Sequence, residues 1–561
     1  MNPTEVVRPS VEASEATAYV VLGFYLALLL GLGLVGFLRS RTGEEDYFLA
    51  GRSQGWLVSS LTIMATFFSS FALLGAPAMV YQQGAIFALF SLNVPLAGAC
   101  VYVIGARMWR IGQRFGYVTP GDMVGDYYQS HMVRLVVALA GFLYVVPYVV
   151  MQMKAGGLIS ETLFGGERSF EVGATLLALI TTLYIMVGGM RSVAWTDVVQ
   201  GLLLVTGMFL GGFVAVRAMG GLASLTRAVA DLGPEYLTAP GATGNFPISR
   251  LFTICVFGSI GSMLAPAQWM RYHSARSPAT LRRAALIFAA VLAACFLFGT
   301  MLVGLGGRVL YPDVADPDQI LVVLLGERVP VLFPAGLGVV LASTIVVAIM
   351  ASSMSTADSN LHALSAVLTR DVYDRYLRPG AAQRERLWVG RLIILVTTVA
   401  ALALVIVARR AEAAAETPIQ QAAIQSMAMI ASLGFIAISF SVQLLPIVVD
   451  IFWIRRGSAT GAWAGMLAGM ATVAIFSPLR SVLVGQTAAG ATAAGAQASP
   501  GADGLVVQID RLATAVPMLE GAWGLAVNVA VFAAISALTR PPDGERTRAV
   551  HAALAHRPAR P

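Results

Sequence analysis

One nine-residue run in this 561-residue sequence concentrates oxygen-bearing side chains: Ser352-Ser353-Met354-Ser355-Thr356-Ala357-Asp358-Ser359-Asn360. On a helix, positions 352, 355, 356 and 359 follow an i, i+3, i+4, i+7 spacing and share one face, with Asp358 beside it. Hydroxyl and carboxylate oxygens are the ligands that hard cations prefer, whereas soft metals call for Cys or His. The run therefore predicts a site for a cation such as sodium. Two other interpretations stay open: a polar seam between packed helices, and an Asp358 that is solvated near a helix end.

Two further segments combine polar groups with interruptions of an apolar helix. Residues 65–77 (ATFFSSFALLGAP) place hydroxyls, a glycine and a proline in the middle of a hydrophobic run, which is typical of broken transport helices whose free carbonyls bind cations. A continuous helix with hydroxyls bonded to its own backbone would explain the same residues. Residues 188–200 (GGMRSVAWTDVVQ) join two apolar runs through a glycine turn. Asp197 in that segment is expected either to interact with a helix dipole or to enter a transport core.

The composition indicates a membrane protein. Hydrophobic residues make up 57% of the chain and charged residues 12%, with a mean hydropathy of +0.76, whereas soluble domains have about 25% charged residues. This argues against a soluble nucleic-acid-binding protein, a disordered scaffold and a cytosolic enzyme. Because a helix needs about 20 apolar residues to cross a bilayer, we predict about thirteen spans. They lie roughly at 17–38, 56–82, 86–108, 135–157, 173–189, 193–216, 249–270, 284–306, 334–368, 388–408, 423–452, 459–477 and 518–538.

The arginines predict the orientation. The odd-numbered connections between spans carry most of them, Arg271 included, and the connection at 307–333 is acidic. By the positive-inside rule, the N-terminus lies outside and the C-terminus in the cytoplasm. The acidic first 16 residues do not resemble a basic leader, so the first run is expected to remain a transmembrane helix. The low-complexity stretch 485–504 is expected to form an outside loop.

The cysteines and histidines argue against several kinds of site. Cys100, Cys255 and Cys295 all lie in apolar runs, and the five histidines form no HExxH pair. We therefore expect no disulfide framework and no thiolate or zinc site. A nucleophile–base constellation is also missing, so no enzymatic activity is predicted.

Four motifs in a fixed order resemble the sodium:solute symporter family, which includes sodium/proline, pantothenate, sugar, iodide and monocarboxylate transporters. They are Gly75-x-Pro-x-x-x-Tyr81, Thr119-Pro120-Gly121-Asp122, the 188–200 segment and Met354-Ser-Thr-Ala-Asp-Ser359. The resemblance extends from Tyr47 to the region 461–469. It implies an all-α polytopic membrane protein with the 5+5 inverted repeat and broken helices of the leucine transporter.

The resemblance, together with the arginine distribution and the low-complexity stretch, predicts an organisation along the chain. It comprises an extracytoplasmic N-terminus (1–16), a peripheral helix (17–38), a first five-helix repeat (56–216), a second five-helix repeat (249–452), two peripheral helices (459–538) with a flexible outside loop between them (about 478–517), and a cytoplasmic tail (539–561).

Two cation sites are implied by the same resemblance. The principal sodium site would use the carbonyls of Ala65 and Phe68, the backbone at Ser352, and the hydroxyls of Ser355 and Thr356. Several family members have a second sodium site. Its ligands here would be Asp197, Ser355, Asp358 and Ser359.

The substrate pocket is expected beside the break in the second span. This sequence has Ala72 and Ser91 where the family's sugar carriers place amide and carboxylate side chains, and Gly261 near their aromatic gate. Each unpaired sugar hydroxyl would cost about 1–3 kcal/mol, so a sugar is disfavoured. The other candidate lining residues are Phe67, Phe71, Gln152, Gln268, Trp269, Phe435 and Gln443. Lys154, the only lysine, is expected to bind a carboxylate or to extend to the outer interface.

We therefore expect a multi-pass plasma-membrane symporter in which sodium drives the import of a small organic solute by alternating access. The favoured solutes are a monocarboxylate, an amino acid such as proline, or pantothenate. Sodium is the expected coupling ion, with no organic cofactor, and the expected partners are the solute and the bilayer, with no nucleic acid and no obligate protein partner. The alternative is a transporter-like solute-sensing module that signals to a partner protein.

Overall fold

The computed structural model describes residues 11–39, 43–164, 168–414, 429–479, 512 and 516–555, which are mostly helical. In chain order the helices are α1 (Val11–Leu38), α2 (Glu44–Leu49), α3 (Trp56–Phe67), α4 (Phe71–Gln83), α5 (Ala85–Phe115), α6 (Pro120–Tyr128), α7 (His131–Phe164), α8 (Ser169–Ala218), α9 (Leu222–Ala230), α10 (Ile248–Leu264), α11 (Pro266–Ser274), α12 (Pro278–Leu310), α13 (Ile320–Leu332), α14 (Gly336–Leu377), α15 (Gln383–Ala413), α16 (Ile430–Ile454), α17 (Ala459–Phe476), α18 (Glu520–Leu538) and α19 (Glu545–Ala555).

The membrane-spanning helices match the predicted fold class. Within the described residues, 10 helices are long and apolar enough to cross a membrane, or up to 12 with two bent pairs counted as spans. Helix α8 has 50 residues, which at about 1.5 Å per residue is more than twice a bilayer core of about 30 Å. It bends at Gly189 (φ 56°, ψ −159°), so it contains both spans predicted at 173–189 and 193–216. The all-helical polytopic architecture is confirmed.

Two helices are broken at corresponding places. Helices α3 and α4 meet at 59°, and α10 and α11 meet at 58°. Phe68 (φ −76°, ψ 98°) ends α3, and Ala265 (φ −60°, ψ 146°) separates α10 from α11. Ala265 precedes Pro266, and a residue before proline is disfavoured in the helical region. Each bent pair begins one of the two predicted five-helix repeats, as expected for the discontinuous helices of inverted-repeat transporters. The repeat boundaries themselves stay a prediction.

Helix α14 lies at the centre of the bundle, packed against α7 and α8, whereas α17 and α18 pack mainly on each other. Helix α1 packs on α8 and α14. It places the buried Tyr25 hydroxyl beside Gln200, whose Nε2 donates to it across 3.1 Å. A helix predicted to be peripheral therefore contributes a polar group to the interior.

The Thr119–Asp122 motif forms a helix cap joined to a charge network. Thr119 and Asp122 make reciprocal side-chain and backbone hydrogen bonds at the start of α6. The Asp122 carboxylate also binds Arg134 of α7 at 3.1 Å and Arg370 of α14 at 3.0 Å. Burial opposes the charged form, but Arg370 and Arg134 outweigh it and lower the pKa of Asp122. The motif thus connects three helices at one end of the bundle.

The tail contains a helix that was not predicted from the sequence. Helix α19 packs on α5 and α6 and buries Val550 and Leu554. Its Thr547 hydroxyl donates to the Tyr127 carbonyl at 2.9 Å. The predicted outside loop at 478–517, the first 10 residues and the start of the eleventh predicted span lie mostly outside the described residues.

Candidate cation and substrate site

The break after α3 faces the hydroxyl-bearing side of α14. The Ser355 hydroxyl donates to the Ala65 carbonyl at 3.0 Å, and the Thr356 hydroxyl lies 3.2 Å from the Ala65 carbonyl and 3.1 Å from that of Phe68. The Ser352 carbonyl lies 3.2 Å from the Ser355 hydroxyl. All five residues are buried. The arrangement gathers neutral oxygens from two helices around one point.

Neighbouring side chains satisfy the amide groups freed by the break. The Ser70 N–H donates to Gln152 Oε1 at 3.1 Å, and the Phe71 N–H donates to the Ser69 hydroxyl at 3.2 Å. The Ser69 hydroxyl also lies 3.3 Å from the Tyr148 hydroxyl on α7. Since these groups hold the interrupted backbone, the carbonyls of Ala65 and Phe68 are left pointing toward α14.

A second polar cluster lies one turn further along α14. The Asp358 carboxylate accepts hydrogen bonds from the Tyr184 hydroxyl at 2.7 Å and the Ser359 hydroxyl at 2.9 Å. Asp197, on α8, forms a 2.9 Å ion pair with Arg271 of α11, while its Oδ1 has no hydrogen-bond partner. The Arg271 guanidinium also donates to the Ser359 hydroxyl. The four residues predicted for the second sodium site therefore lie together, with a guanidinium among them.

Arg271 was counted from the sequence among the cytoplasmic arginines, but its side chain is only 1% exposed. Its Nε donates to the Thr62 carbonyl at 3.1 Å and its Nη1 to the Ala267 carbonyl at 3.2 Å. The bend before Pro266 turns α11 inward and carries Arg271 with it. In the sequence, the one indication that Arg271 is buried was its position soon after a proline that interrupts an apolar run.

The predicted aromatic lining forms a cluster beside the break. The Phe71 ring lies 5.5 Å from Phe435 and 5.4 Å from Phe90, between ring centroids, and Phe90 lies 5.7 Å from Phe296. Phe67 instead packs edge-to-face on Phe288 at 5.1 Å. Phe90 and Phe296 did not stand out in the sequence, because aromatic residues in apolar spans give no local signal of function.

The other candidate lining residues have different surroundings. The Ala72 carbonyl accepts from the Thr300 hydroxyl at 3.2 Å, and Ser91 is half-buried on α5. Gln268 donates to the Ile63 carbonyl at 3.3 Å, and the fully buried Trp269 has an indole N–H without a partner.

Gln443 and Gln152 make contacts that the sequence did not specify. Gln443 donates to the Gly521 carbonyl at 3.2 Å, and its Oε1 accepts from Asn528 at 3.2 Å, so it joins α16 to α18. Gln152 also donates to the Tyr148 carbonyl at 3.0 Å, so both ends of its amide are engaged at the break.

Lys154 forms an ion pair with a carboxylate of the protein itself. Its ammonium lies 2.9 Å from Asp318, which is fully buried and also accepts the Ile430 N–H at 3.0 Å. The pair therefore connects α7, the segment before α13 and the start of α16. Asp318 keeps one oxygen without a hydrogen bond.

The donor set fits a hard monovalent cation. The first cluster offers carbonyl and hydroxyl oxygens and the second offers hydroxyl and carboxylate oxygens, and oxygen donors are what such ions bind. In the described part of the chain, no group of three or more His, Cys, Asp or Glu side chains could hold a metal ion.

Comparisons with known proteins give the family. The chain matches the sodium:solute symporter family over residues 47–469. It is 27% identical to the sodium/pantothenate symporter of Escherichia coli strain K12, over 82% of this chain and 90% of the relative, and 26% identical to the sodium/proline symporter of that strain, over 81% and 86%.

Its fold resembles that of a Na⁺-coupled sialic acid symporter solved in a substrate-bound, outward-open state, with a TM-score of 0.71, 20% identity and coverage of 94% of this chain and 98% of the other. A nucleobase-cation-symport transporter in a closed conformation matches with a TM-score of 0.52 at 13% identity, over 90% and 98%. The predicted leucine-transporter fold is thereby confirmed. With its bent helices and its motifs in order, the chain belongs to the sodium:solute symporter family.

Proposed function

We propose that this protein uses the inward sodium gradient to import a small organic solute by alternating access. The observation that carries the proposal is the meeting of the Ser355 and Thr356 hydroxyls with the Ala65 and Phe68 carbonyls at 3.0–3.2 Å. Sodium bound there would bridge α3 to α14. Because these helices belong to different predicted repeats, cation binding would depend on how the repeats are arranged.

The driving force is sufficient for accumulation. A potential of about 100 mV contributes roughly 2.3 kcal/mol per charge, and a tenfold sodium gradient adds about 1.4 kcal/mol. One sodium ion per cycle therefore supports accumulation of roughly 500-fold. Both contributions drive sodium into the cell, so a solute coupled to it in symport is imported. The arginine distribution supports an outside N-terminus and a cytoplasmic C-terminus.

We infer a monocarboxylate, an amino acid such as proline, or pantothenate as the solute, in preference to a sugar. The rings of Phe71, Phe90 and Phe435 beside the break support a solute with an apolar portion. Ala72 is apolar, and the amide of Gln443 is already engaged with α18. Few free polar side chains then remain for a row of sugar hydroxyls. The two bacterial relatives transport pantothenate and proline by name.

We also propose a second cation at Asp358. Asp197 and Asp358 are balanced by one guanidinium, Arg271. One negative charge therefore remains buried in this cluster, and burying an uncompensated charge is strongly unfavourable. Asp358 receives only neutral hydroxyl donors, so it is the carboxylate that needs a cation.

The test is sodium-dependent uptake in proteoliposomes, screened over amino acids, monocarboxylates, pantothenate and sugars. The double variant Ser355→Ala/Thr356→Ala loses two oxygen ligands, so its half-maximal sodium concentration should rise tenfold or more, a cost of at least about 1.4 kcal/mol. Ser353→Ala is the matched control, because its hydroxyl bonds only to Ile349 of its own helix. A correctly inserted double variant with wild-type sodium dependence would remove this site from the mechanism. A solute sensor would bind solute without accumulating it.

A further inference from the structure

Three arginines gather where α5 and α16 end on the side of the tail. Arg107 and Arg110 lie one turn apart on α5, and Arg455 directly follows α16. Arg110 and Arg455 are close enough to act electrostatically on the Arg107 guanidinium, which lies 4.7 Å from the centre of the Trp453 ring. Among the described residues, none of the three has a carboxylate within salt-bridge distance. Arg110 Nε is buried without a hydrogen-bond partner.

The backbone holds Arg455 at the corner that Arg107, Arg110 and Arg455 form. Arg455 adopts the left-handed conformation (φ 59°, ψ 34°), which is unfavourable for a residue other than glycine. The nearby carboxylate of Asp450 is already engaged: it accepts the Tyr128 hydroxyl at 2.7 Å and the N–H groups of Arg456 at 2.9 Å and Gly457 at 2.7 Å. Asp450 thus stabilises the turn that contains Arg455.

The tail helix approaches the corner without neutralising it. Burial and the nearby Arg455 lower the pKa of His551 on α19, which disfavours a positive charge on its ring. Arg546 of α19 is paired with Asp126 at 2.5 Å. The three arginines therefore remain an excess of positive charge.

An apolar groove opens beside these arginines. It has a volume of about 290 Å³ and lies between α5, α10 and α16, with Leu96, Val103, Ile260 and Trp453 among its lining residues. Leu96, Val103 and Trp453 are each about 40% exposed, so the groove opens on the surface of the helix bundle. Trp453 lines the groove and also lies against Arg107, so the groove runs directly to the arginines.

We propose that this corner binds one anionic phospholipid, with its phosphate on Arg107, Arg110 and Arg455 and an acyl chain in the groove. Guanidinium groups present fixed pairs of donors that match phosphate oxygens. Basic pockets between membrane helices on the cytoplasmic side are suited to anionic lipid headgroups. The lipid would contact α5 of the first predicted repeat and α16 of the second.

Native mass spectrometry of the detergent-purified full chain tests the proposal, with phosphatidylglycerol and phosphatidylcholine of identical acyl chains as probes. The wild type should retain phosphatidylglycerol selectively. In Arg107→Gln/Arg455→Gln its apparent affinity should fall roughly 25-fold, about fivefold per arginine, equivalent to about 1 kcal/mol each. Arg282→Gln is the matched control, because Arg282 of α12 likewise lies against an aromatic ring of α5, 5.4 Å from the centre of Tyr102, but does not line the groove. It should bind as the wild type does.

A second variant tests the groove separately, which keeps the proposal falsifiable if the arginine variants fold poorly. Ile260→Trp fills the groove and leaves the arginines intact. It should weaken binding of long-chain phosphatidylglycerol but not of a dihexanoyl form. Equal retention of both headgroups, unchanged affinity in the arginine variant, or displacement of phosphatidylglycerol by inorganic phosphate at similar concentration would overturn the proposal.

Discussion

The two polar clusters on α14 lie one helical turn apart, yet they are built from different chemistry. The first consists of the hydroxyls of Ser355 and Thr356 and the carbonyls of Ala65 and Phe68, with no ionisable group. The second contains two buried carboxylates, Asp197 and Asp358, and one guanidinium. The clusters are joined at the Ser359 hydroxyl, which lies 2.9 Å from the Asp358 carboxylate and 2.6 Å from the Ser355 carbonyl.

Because of this difference in charge, the two clusters can exchange a cation in different ways. A site made only of dipoles can release its ion without leaving a net charge buried, so it suits repeated loading and unloading. In the second cluster, the permanent positive charge of Arg271 balances one carboxylate. The second carboxylate then depends on a mobile cation. We therefore propose that the first cluster exchanges sodium freely, whereas occupancy of the second also governs the charge carried per cycle.

Removing the Arg271 guanidinium should perturb the protein most. Arg271→Gln leaves two carboxylates buried without compensation, and breaking a buried pair in this way costs about 3–5 kcal/mol. We expect a pronounced loss of thermal stability in detergent. Arg271→Gln/Asp197→Asn removes the unpaired charge as well and should recover most of that loss.

Arg410→Gln is the matched control for this experiment. Arg410 pairs with Glu171 at 2.9 Å but is 72% exposed, and exposed pairs contribute about 0–1 kcal/mol. If Arg271→Gln melts like this control, then the guanidinium does not balance the second cluster.

The neutral cluster could largely be anticipated from the sequence. The hydroxyl spacing in residues 352–359 is a local pattern that helical periodicity translates into one face. The interruption in residues 65–77 is typical of a broken helix, and the pairing of the two segments in one site came from the family resemblance. The lengths of the apolar runs predicted a polytopic helical membrane protein, whereas the inverted-repeat fold came from the family resemblance that the motifs carry. Such features depend on residues close together in the chain.

The charged cluster could be predicted only in part. Asp197 and Asp358 were identifiable as acids inside apolar runs, but Arg271 has the sequence context of an ordinary interface arginine. Its burial depends on the bend between α10 and α11, which is a tertiary feature. Gln443 illustrates the same limit: which neighbour its amide meets depends on how α16 is rotated against α18.

A smaller effect, on coupling rather than stability, is expected from Asp358→Asn. This change removes the charge that Arg271 does not balance, so the cluster no longer requires a mobile cation. Reversal potentials in proteoliposomes should show one fewer charge moved per solute. Asp197→Asn should give the same result, because Arg271 would then balance Asp358.

Asp126→Asn serves as the control for the coupling measurement, since its carboxylate pairs with Arg546 at the tail side, away from both clusters. Coupling ratios identical to the wild type in both cluster variants would leave a carrier that moves a single sodium ion through the neutral site.

The smallest expected effect concerns the Tyr184 hydroxyl, which donates to Asp358 at 2.7 Å. A hydrogen bond to a charged group contributes about 1.5–3 kcal/mol, and a neutral one about 1 kcal/mol. When sodium occupies the cluster, it takes over part of the carboxylate charge, so the lower figure applies. The higher figure applies to the empty cluster, so losing the bond destabilises the empty cluster more than the loaded one, by at least about 0.5 kcal/mol. Tyr184→Phe should therefore lower the half-maximal sodium concentration about twofold or more, since about 1.4 kcal/mol corresponds to tenfold. Thr182→Val is the control, because the Thr182 hydroxyl bonds Thr398 on α15 at 3.1 Å.

The double variant gives a sharper measurement. In an Asp358→Asn background, Tyr184→Phe should have no further effect on the half-maximal sodium concentration. An equal shift in both backgrounds would mean that Tyr184 acts through packing and that its hydroxyl does not tune the second cation.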